Sequence, residues 1–221
     1  MKNIIALIPA RGGSKGIKNK NLKKIGQLNL VERAIDVAKK TKIFHKIILS
    51  SDRKNILYYA DKYKILKHYR PKKFARDESN ISQTILDIKK KYNLKNTYLF
   101  ILEPTSPLRT SNQIKDSYKL INKKGFDSFC TFTEAMVSPY RVWELNKKIR
   151  PFNKKKNIWV PRQAFKTFYQ AVGNVIAINL DKYKPKKGIL FGKIGYIILN
   201  KIDSIDIDNT DDLNIVRKIF K

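Results

Sequence analysis

The residues best suited to chemistry include a glycine-rich, cationic segment that directly follows the first apolar run, ARGGSKGIKNKNL. Gly12 and Gly13 allow backbone N–H groups to approach an anion without obstruction by a side chain. Arg11, Lys15 and Lys20 add full positive charges. The segment matches neither G-x-G-x-x-G nor G-x-x-x-x-G-K-S/T, so it predicts neither a dinucleotide site nor a P-loop ATPase. A turn with solvated lysines is the alternative, but the position after an apolar strand favours phosphate binding.

A second candidate site is the acidic segment DSIDIDNTDDL near the end of the chain. In an extended backbone Asp206 and Asp208 point to the same face, where two carboxylates repel each other unless a cation lies between them. Oxygen ligands of this kind suit Mg²⁺. Alternatively, the segment is an acidic turn in which Asn209, Asp211 and Asp212 favour the positive end of the last helix. The spacing supports both interpretations equally, and the concentration of acid in so basic a chain favours the metal.

Two other segments carry polar groups after apolar runs, EPTSPLRT and WVPRQAFKTFYQAVGN. Glu103 is the first polar residue past a strand end, whereas Arg109 belongs either to the site or to a turn that leads into the next helix. Arg162 has the planar, forked geometry that binds a carboxylate through two hydrogen bonds. His45 and His68 are predicted to be structural or surface residues, because the sequence indicates no acidic or cysteine partner for either.

These segments must be positioned by an alternation of strands and helices. The predicted strands cover residues 4–10, 46–51, 65–69, 97–102, 126–132, 172–178 and 196–199. The first predicted helix begins after Asn29, with Glu32 closing a capping box. Further helices are predicted over 54–64, 81–92, 112–123 and 210–220. The alternation predicts an α/β fold with a mainly parallel sheet between two helical layers. The alternation of strands and helices is interrupted between about 134 and 187, which predicts an inserted arm.

Length and composition are consistent with a single domain over residues 1–221. No apolar run is long enough to span a bilayer, and the start becomes charged too soon for a secretory signal. The single cysteine, Cys130, excludes an internal disulfide and fits a reducing compartment. We therefore expect a soluble, cytoplasmic protein without membrane partners.

The chain is strongly basic, with 48 Lys and Arg against 18 Asp and Glu and a formal net charge of +30. Such an excess attracts anionic ligands and makes a nucleic-acid-binding α/β protein the alternative function. The lysines, however, are scattered along the chain instead of forming one block. The pattern favours a dispersed surface charge, and nucleic acid is not expected as a partner.

Taken in order, these motifs resemble the CMP-sialic acid synthetases, or acylneuraminate cytidylyltransferases. The resemblance rests on ARGGSKGIKNKNL, SSD at 50–52, RP at 70–71, PTSPLR at 104–109, PRQ at 161–163 and SIDID at 204–208. It implies a Rossmann-like, three-layer nucleotide-sugar transferase fold and a homodimer whose inserted dimerisation arm, about 134–187, reaches the partner's site. The implied reaction joins CTP and an acidic nine-carbon (nonulosonic) sugar through its anomeric hydroxyl, giving CMP-sugar and pyrophosphate.

Residue roles follow from the matched motifs. The resemblance implies nucleotide binding by Ala10, Arg11, Gly12, Ser14, Lys15, Lys20, Asn21 and Arg70. It implies sugar binding by Glu103, Arg162 and Gln163, and Mg²⁺ binding by Asp206 and Asp208. Arg11, Lys20 and Asp208 are the predicted catalytic residues, and the proton acceptor is left open between Asp208 and a metal-bound water.

The sequence departs from the family's usual pattern in three places. Glu103 stands where glutamine is common, Val172 and Ile176 replace the usual Asn and Tyr of NGAIY, and Arg76 lies in a segment that is usually small and polar. The first two departures fall on the sugar side, so legionaminic, pseudaminic and N-acetylneuraminic acids are equally compatible acceptors. A relative that binds nucleotide without turnover is the remaining alternative.

Overall fold

In the computed structural model of the chain, which describes residues 2–14, 16–76, 78–145, 148–153 and 166–220, a seven-stranded sheet has the order β11-β7-β10-β6-β1-β4-β5. The strands are β1 (Asn3–Pro9), β2 (Lys24–Ile25), β3 (Leu28–Asn29), β4 (Lys46–Ser51), β5 (Leu66–Tyr69), β6 (Thr97–Ile101), β7 (Ser128–Glu134), β8 (Trp143–Leu145), β9 (Ile149–Pro151), β10 (Tyr169–Asn179) and β11 (Ile194–Leu199). The helices are α1 (Leu30–Thr41), α2 (Lys54–Lys62), α3 (Ile81–Lys91), α4 (Ser111–Lys124) and α5 (Thr210–Ile219). Every strand pairing in the large sheet is parallel except those of β10, so the predicted mainly parallel α/β fold is confirmed.

Alternate side chains of β1 enter two separate hydrophobic cores, because successive residues of a strand face opposite sides of a sheet. Ile4, Ala6 and Ile8 pack in the core that α1, α2 and α4 cover. Ile5 and Leu7 pack in the core that α3 covers. Helices on both faces of the sheet give three layers, as the strand–helix alternation predicted.

Helix α1 begins as the sequence predicts. The Asn29 side chain accepts a hydrogen bond from the Glu32 amide, and the Glu32 carboxylate accepts one from the Asn29 amide, which completes the capping box. The helix ends at Thr41, and the next residue, Lys42, has a positive φ of 58° in the left-handed region. None of the described helices is long and apolar enough to cross a bilayer.

The region around the predicted arm differs from a simple insertion. Strand β10 lies inside the large sheet, antiparallel to both β6 and β7, so the last part of the 134–187 segment belongs to the core fold. Strands β8 and β9 form a separate hairpin that the sequence did not indicate. Strands β8 and β9 escaped prediction because their side chains are exposed. Strand β10 contains the predicted strand 172–178 and extends it to Tyr169–Asn179, with a register shift between Val172 and Ile176.

Candidate active site

A cleft of about 550 Å³ opens beyond the carboxyl ends of β1, β5 and β6. Eight of the residues predicted from the sequence line it: Arg11, Ser14, Lys20, Asn21, Arg70, Glu103, Asp206 and Asp208. Ala10 is buried beneath the cleft, and Lys15, Arg162 and Gln163 lie outside the described residues. The structure therefore brings the cationic loop and the acidic tail to one place, although almost 190 residues separate them along the chain.

Burial of apolar side chains joins the two ends of the chain. Ile17 from the opening loop and Ile207 from the tail pack in the same core cluster as the α5 residues Leu213 and Val216. The Ile207 amide donates a 2.9 Å hydrogen bond to the carbonyl of Thr105, which fixes the tail beside the end of β6. Because Ile207 points into the core, its two neighbours Asp206 and Asp208 both point away from it and towards the cleft.

Lys20 bridges the two ends directly. Its Nζ donates a 2.6 Å hydrogen bond to the Ile207 carbonyl and lies 3.3 Å from Oδ1 of Asp208. Only 14% of the Lys20 side chain is exposed, whereas 77% of the Asp208 side chain is exposed. The ammonium group is thus held in place at the junction, and the Asp208 carboxylate faces the open cleft.

Gly16 brings the backbone of the opening loop close to the backbone of the tail. A Cβ atom at this position would lie 2.3 Å from the carbonyl oxygen of Asp208. We expect Gly16→Ala to displace the tail, to lower the free energy of unfolding by about 1–3 kcal/mol and to reduce turnover about a hundredfold. Urea unfolding and steady-state kinetics measure both effects.

Gly13→Ala is the matched control for stability, because a Cβ at this neighbouring glycine would meet no atom within 4 Å. A Gly16→Ala variant with the stability and the turnover of the unsubstituted chain would contradict the close contact between loop and tail.

The amide of Gly12 has a different environment from the one the sequence predicted. It donates a 2.8 Å hydrogen bond to Oδ1 of Asp52, the residue that follows β4. A Cβ at Gly12 would also collide with the Arg53 side chain, at 2.1 Å from its Cγ. The glycine is therefore required for packing beneath Arg53, and an anion-binding role of its amide stays a prediction.

The rest of the opening loop is ordered by short-range contacts. The buried Asn21 side chain donates a 2.8 Å hydrogen bond to the carbonyl of Arg11, which fixes the backbone at the start of the loop. Asn19 adopts a positive φ of 55° and lets the chain reverse into Lys20. The Asn21 side chain thus holds the backbone of Arg11 in place.

The acidic wall of the cleft contains Glu103, Asp206 and Asp208. Burial raises the pKa of Glu103 to about 7, and the nearby charge of Asp206 adds to the rise. Burial also raises the pKa of Asp206, opposed by a hydrogen bond with Thr105 and reinforced by Asp208. Carboxylates in this state are poised to accept a cation, since a positive charge would relieve their mutual repulsion.

The donor set of this wall fits Mg²⁺. Oδ1 of Asp206 is buried without a hydrogen-bond partner, which leaves a hard oxygen available at the bottom of the cleft. Within the described residues, no three His, Cys, Asp or Glu side chains converge on a common point. Mg²⁺ at this position would therefore take its other oxygens from water and a bound phosphate chain, as it commonly does.

A pH-dependent stability difference follows from the raised pKa of Glu103. The pKa of Glu103 is about 7 in the folded chain and 4.5 in the unfolded chain, so the folded chain binds this proton more tightly. The stabilisation that this proton gives is therefore complete below pH 4.5 and is lost as the pH rises through about 7. In metal-free protein we expect Glu103→Gln to gain about 3 kcal/mol in unfolding free energy relative to the unsubstituted chain between about pH 4.5 and about pH 8.

Urea unfolding in the presence of a chelator at several pH values measures this difference. Glu78→Gln changes an exposed glutamate before α3 and serves as the control for general charge effects. A stability difference between Glu103→Gln and the parent chain that does not change with pH would contradict the burial of a protonated Glu103.

Arg109 is a structural residue, which was one of the two sequence interpretations. It is buried, and it donates hydrogen bonds to the carbonyls of Asn174, Glu103 and Gly173. These contacts tie the loop after β6 to the irregular part of β10. Gly173 leaves room for the Glu103 carboxylate, whose Oε2 would lie 2.4 Å from a Cβ at that position.

Sequence reasoning missed the residues around Arg70. Arg70 is only 8% exposed, and burial lowers its pKa to about 10, opposed by Asp52. Behind it, His68 is fully buried and hydrogen-bonded to Ser50 and Asp87, so the expectation that His68 has no acidic partner is wrong. Asp87 is 19 positions away and approaches only because α3 docks beside β5, which no local pattern reveals.

Comparisons with known proteins identify what this arrangement is similar to. The family model described as Cytidylyltransferase matches residues 5–194. The CMP-N,N'-diacetyllegionaminic acid synthase of Campylobacter jejuni is 29% identical over 98% of this chain and 94% of its own length. The N-acylneuraminate cytidylyltransferase of Escherichia coli is 27% identical over 96% of this chain, which spans about half (51%) of that relative.

A solved structure shares the fold. CMP:2-keto-3-deoxy-manno-octonic acid synthetase, solved in complex with CTP, superposes with a TM-score of 0.70 over 98% of both chains at 13% identity. The agreement covers the three-layer arrangement that surrounds the cleft.

Proposed function

This chain belongs to the cytidylyltransferase family, nucleotidyltransferase enzymes that use CTP, and we propose that it transfers CMP to the anomeric hydroxyl of a nonulosonic (sialic-type) acid with release of pyrophosphate. The observation that carries the proposal is the single cleft in which Arg11 and Lys20 face Asp206 and Asp208. The acceptor class is supported by relatives named for N,N'-diacetyllegionaminic acid and N-acylneuraminate, which match nearly the whole chain.

The chain's own residues act by positioning and charge. Arg11 and Lys20 counter the negative charge of the triphosphate, and the hydrogen bond from Lys20 to the Ile207 carbonyl fixes the ammonium group before the ligand arrives. Asp206 and Asp208 would hold Mg²⁺, and the ion would supply positive charge that neutralises the phosphates. The sugar hydroxyl attacks the α-phosphorus and gives up its proton to Asp208 or to a water molecule, while the bond to pyrophosphate breaks. No covalent enzyme intermediate is required.

Glu103 is compatible with an acidic acceptor in this proposal. A carboxylate at the sugar side would repel the substrate's carboxylate, but the pKa of about 7 leaves a large share of Glu103 protonated at neutral pH. The Arg109 guanidinium nearby compensates part of the remaining charge. Sugar binding by Arg162 and Gln163 completes the proposed acceptor site.

A pyrophosphate-release screen tests the proposal. Legionaminic, pseudaminic and N-acetylneuraminic acids, with an eight-carbon 3-deoxy-octulosonic acid for comparison, are combined with each of the four nucleoside triphosphates. We expect release only with CTP, Mg²⁺ and a nine-carbon acid. Release with the eight-carbon acid alone would contradict the acceptor class, and CTP binding without product from any sugar would favour a degenerate relative.

A basic nucleic-acid-binding protein is the alternative function, and the same preparation tests it. That function predicts RNA or DNA binding that weakens steeply with salt and does not respond to CTP. The lysines are scattered along the chain and form no single basic block, which disfavours this function. Salt-sensitive RNA binding together with no pyrophosphate release would replace the proposed transferase.

We also propose that the chain acts in the cytoplasm, where CTP is present. We further propose that it forms a homodimer, because the segment around β8 and β9 exposes apolar side chains. Leu145 is 84% and Ile149 64% exposed, with Met136 and Phe152 similarly uncovered. Sedimentation velocity should give a dimer, and Leu145→Lys combined with Ile149→Lys should shift it to monomer. Tyr58→Lys on α2 is the control, and a monomeric parent chain would contradict the dimer.

A further inference from the structure

Four polar side chains form a chain of hydrogen bonds behind the cleft. Nε of Arg70 donates to Oγ of Ser50 at 3.2 Å, and this oxygen lies 2.8 Å from Nδ1 of His68. Nε2 of His68 lies 2.9 Å from Oδ2 of Asp87 on α3. Ser50 and His68 are register partners on β4 and β5 and have no exposed surface. The chain of contacts therefore runs from the surface of α3, through the sheet, to a residue that lines the cleft.

For a neutral His68 ring, one arrangement of protons satisfies all these contacts. An arginine has no acceptor, so Nε of Arg70 donates and Ser50 Oγ accepts. The single hydroxyl proton of Ser50 is then donated to Nδ1 of His68, and the ring proton is placed on Nε2, where the Asp87 carboxylate accepts it. Burial lowers the pKa of His68, with smaller effects of Lys91 and Arg70 in the same direction and of Asp87 in the opposite one. The ring is accordingly neutral at neutral pH, as this arrangement requires.

We propose that Ser50 and His68 are positioning residues that hold the guanidinium of Arg70 in place for the nucleotide, with Asp87 selecting the His68 tautomer. The inference rests on the proposed function, in which Arg70 faces CTP. Arg70 is otherwise held by its backbone amide, which donates to the Ser51 carbonyl, and by Nη2, which donates to the Ser50 carbonyl at 3.3 Å. Fixing a long side chain before the ligand binds removes an entropic cost from binding.

Two amide substitutions at position 68 separate positioning from packing. In His68→Asn the amide oxygen takes the place of Nδ1 and keeps an acceptor for Ser50, whereas in His68→Gln the amide nitrogen takes the place of Nε2 and keeps only the contact with Asp87. We expect His68→Gln and Ser50→Ala to raise KM for CTP about tenfold, with KM for the sugar unchanged. His68→Asn should stay within about threefold of the parent chain. Packing alone predicts the opposite order, because glutamine fills the buried volume better than asparagine.

Combination with Arg70→Ala tests whether the effect passes through Arg70. We expect Arg70→Ala to raise KM for CTP and His68→Gln to add nothing to it, because residues that act through one contact are not additive. The inference is overturned if His68→Gln and Ser50→Ala leave KM for CTP unchanged, if His68→Asn is impaired more than His68→Gln, or if Arg70→Ala has no effect.

A measurement without turnover keeps this inference separate from the proposed function. The chain contains only two histidines, so ¹⁵N NMR of the parent chain and a His45→Gln variant assigns both rings. We expect a neutral His68 with its proton on Nε2 at neutral pH. A His68 proton on Nδ1 would overturn the proposed chain of hydrogen bonds, even if the enzyme is active. If the tautomer is as expected but CTP is not turned over, the proposed function is refuted and the chain of hydrogen bonds stands.

Discussion

Replacement of Asp208 by asparagine is expected to reduce CTP-dependent pyrophosphate release about a thousandfold, which corresponds to several kcal/mol of lost charge stabilisation. The substitution keeps the shape of the side chain and removes the negative charge that faces the open cleft. Its effect on stability should be small, because 77% of the side chain is exposed and an exposed ion pair, here with Lys20, contributes little. Steady-state kinetics and thermal unfolding of the same preparation measure the two effects separately.

Asp211→Asn is the matched control for this experiment. Asp211 is also exposed and acidic, lies three positions further along in the first turn of α5, and does not line the cleft. It should retain full turnover. Equal losses in both variants would indicate a general charge effect, and unchanged turnover in Asp208→Asn would refute the assignment of Asp208 to the metal.

Lys20→Met is expected to have the second largest effect, a loss of about two to three orders of magnitude in kcat/KM for CTP. Methionine keeps most of the apolar stem and removes the ammonium group that contacts the Ile207 carbonyl and Asp208. The carboxyl groups of the cleft wall would then lose one nearby cation and keep Arg109, so Mg²⁺ affinity without nucleotide should not fall. Calorimetry with Mg²⁺ and kinetics with CTP separate these consequences.

Lys18→Met controls for the loss of one charge from the same loop, since Lys18 is exposed and does not line the cleft. If Lys20→Met lowered turnover no more than Lys18→Met, the contact between Lys20 and the tail would be structural only. If it lowered Mg²⁺ affinity as strongly as Asp208→Asn, the lysine would act on the metal site and not on the phosphates.

Local patterns predicted the elements that carry the site. The apolar run KIILSS forms strand β4 over Lys46–Ser51, and the Asn29–Glu32 capping box starts α1, because both depend on residues close in sequence. The acidic tail was interpreted either as a metal site or as an acidic cap of the last helix, and its residues divide between the two positions. Asn209 and Asp212 form a capping box at α5, while Asp206 and Asp208 line the cleft.

The sequence could not predict features that depend on how distant segments meet. Chain order gives no indication that β10 inserts antiparallel between β6 and β7, although this places Gly173 beside Glu103. The burial of Arg109 under three carbonyl groups follows from the same insertion. The link from Asp87 through His68 to Arg70 likewise depends on the docking of α3.

The anomalous density of Mn²⁺ in crystals grown with CTP locates the metal and the triphosphate most directly. We predict one manganese peak within coordination distance of Asp206, Asp208 and the triphosphate, with the phosphates beside Arg11 and Lys20. A triphosphate bound away from the opening loop, or a metal peak away from the two aspartates, would contradict a shared site of loop and tail.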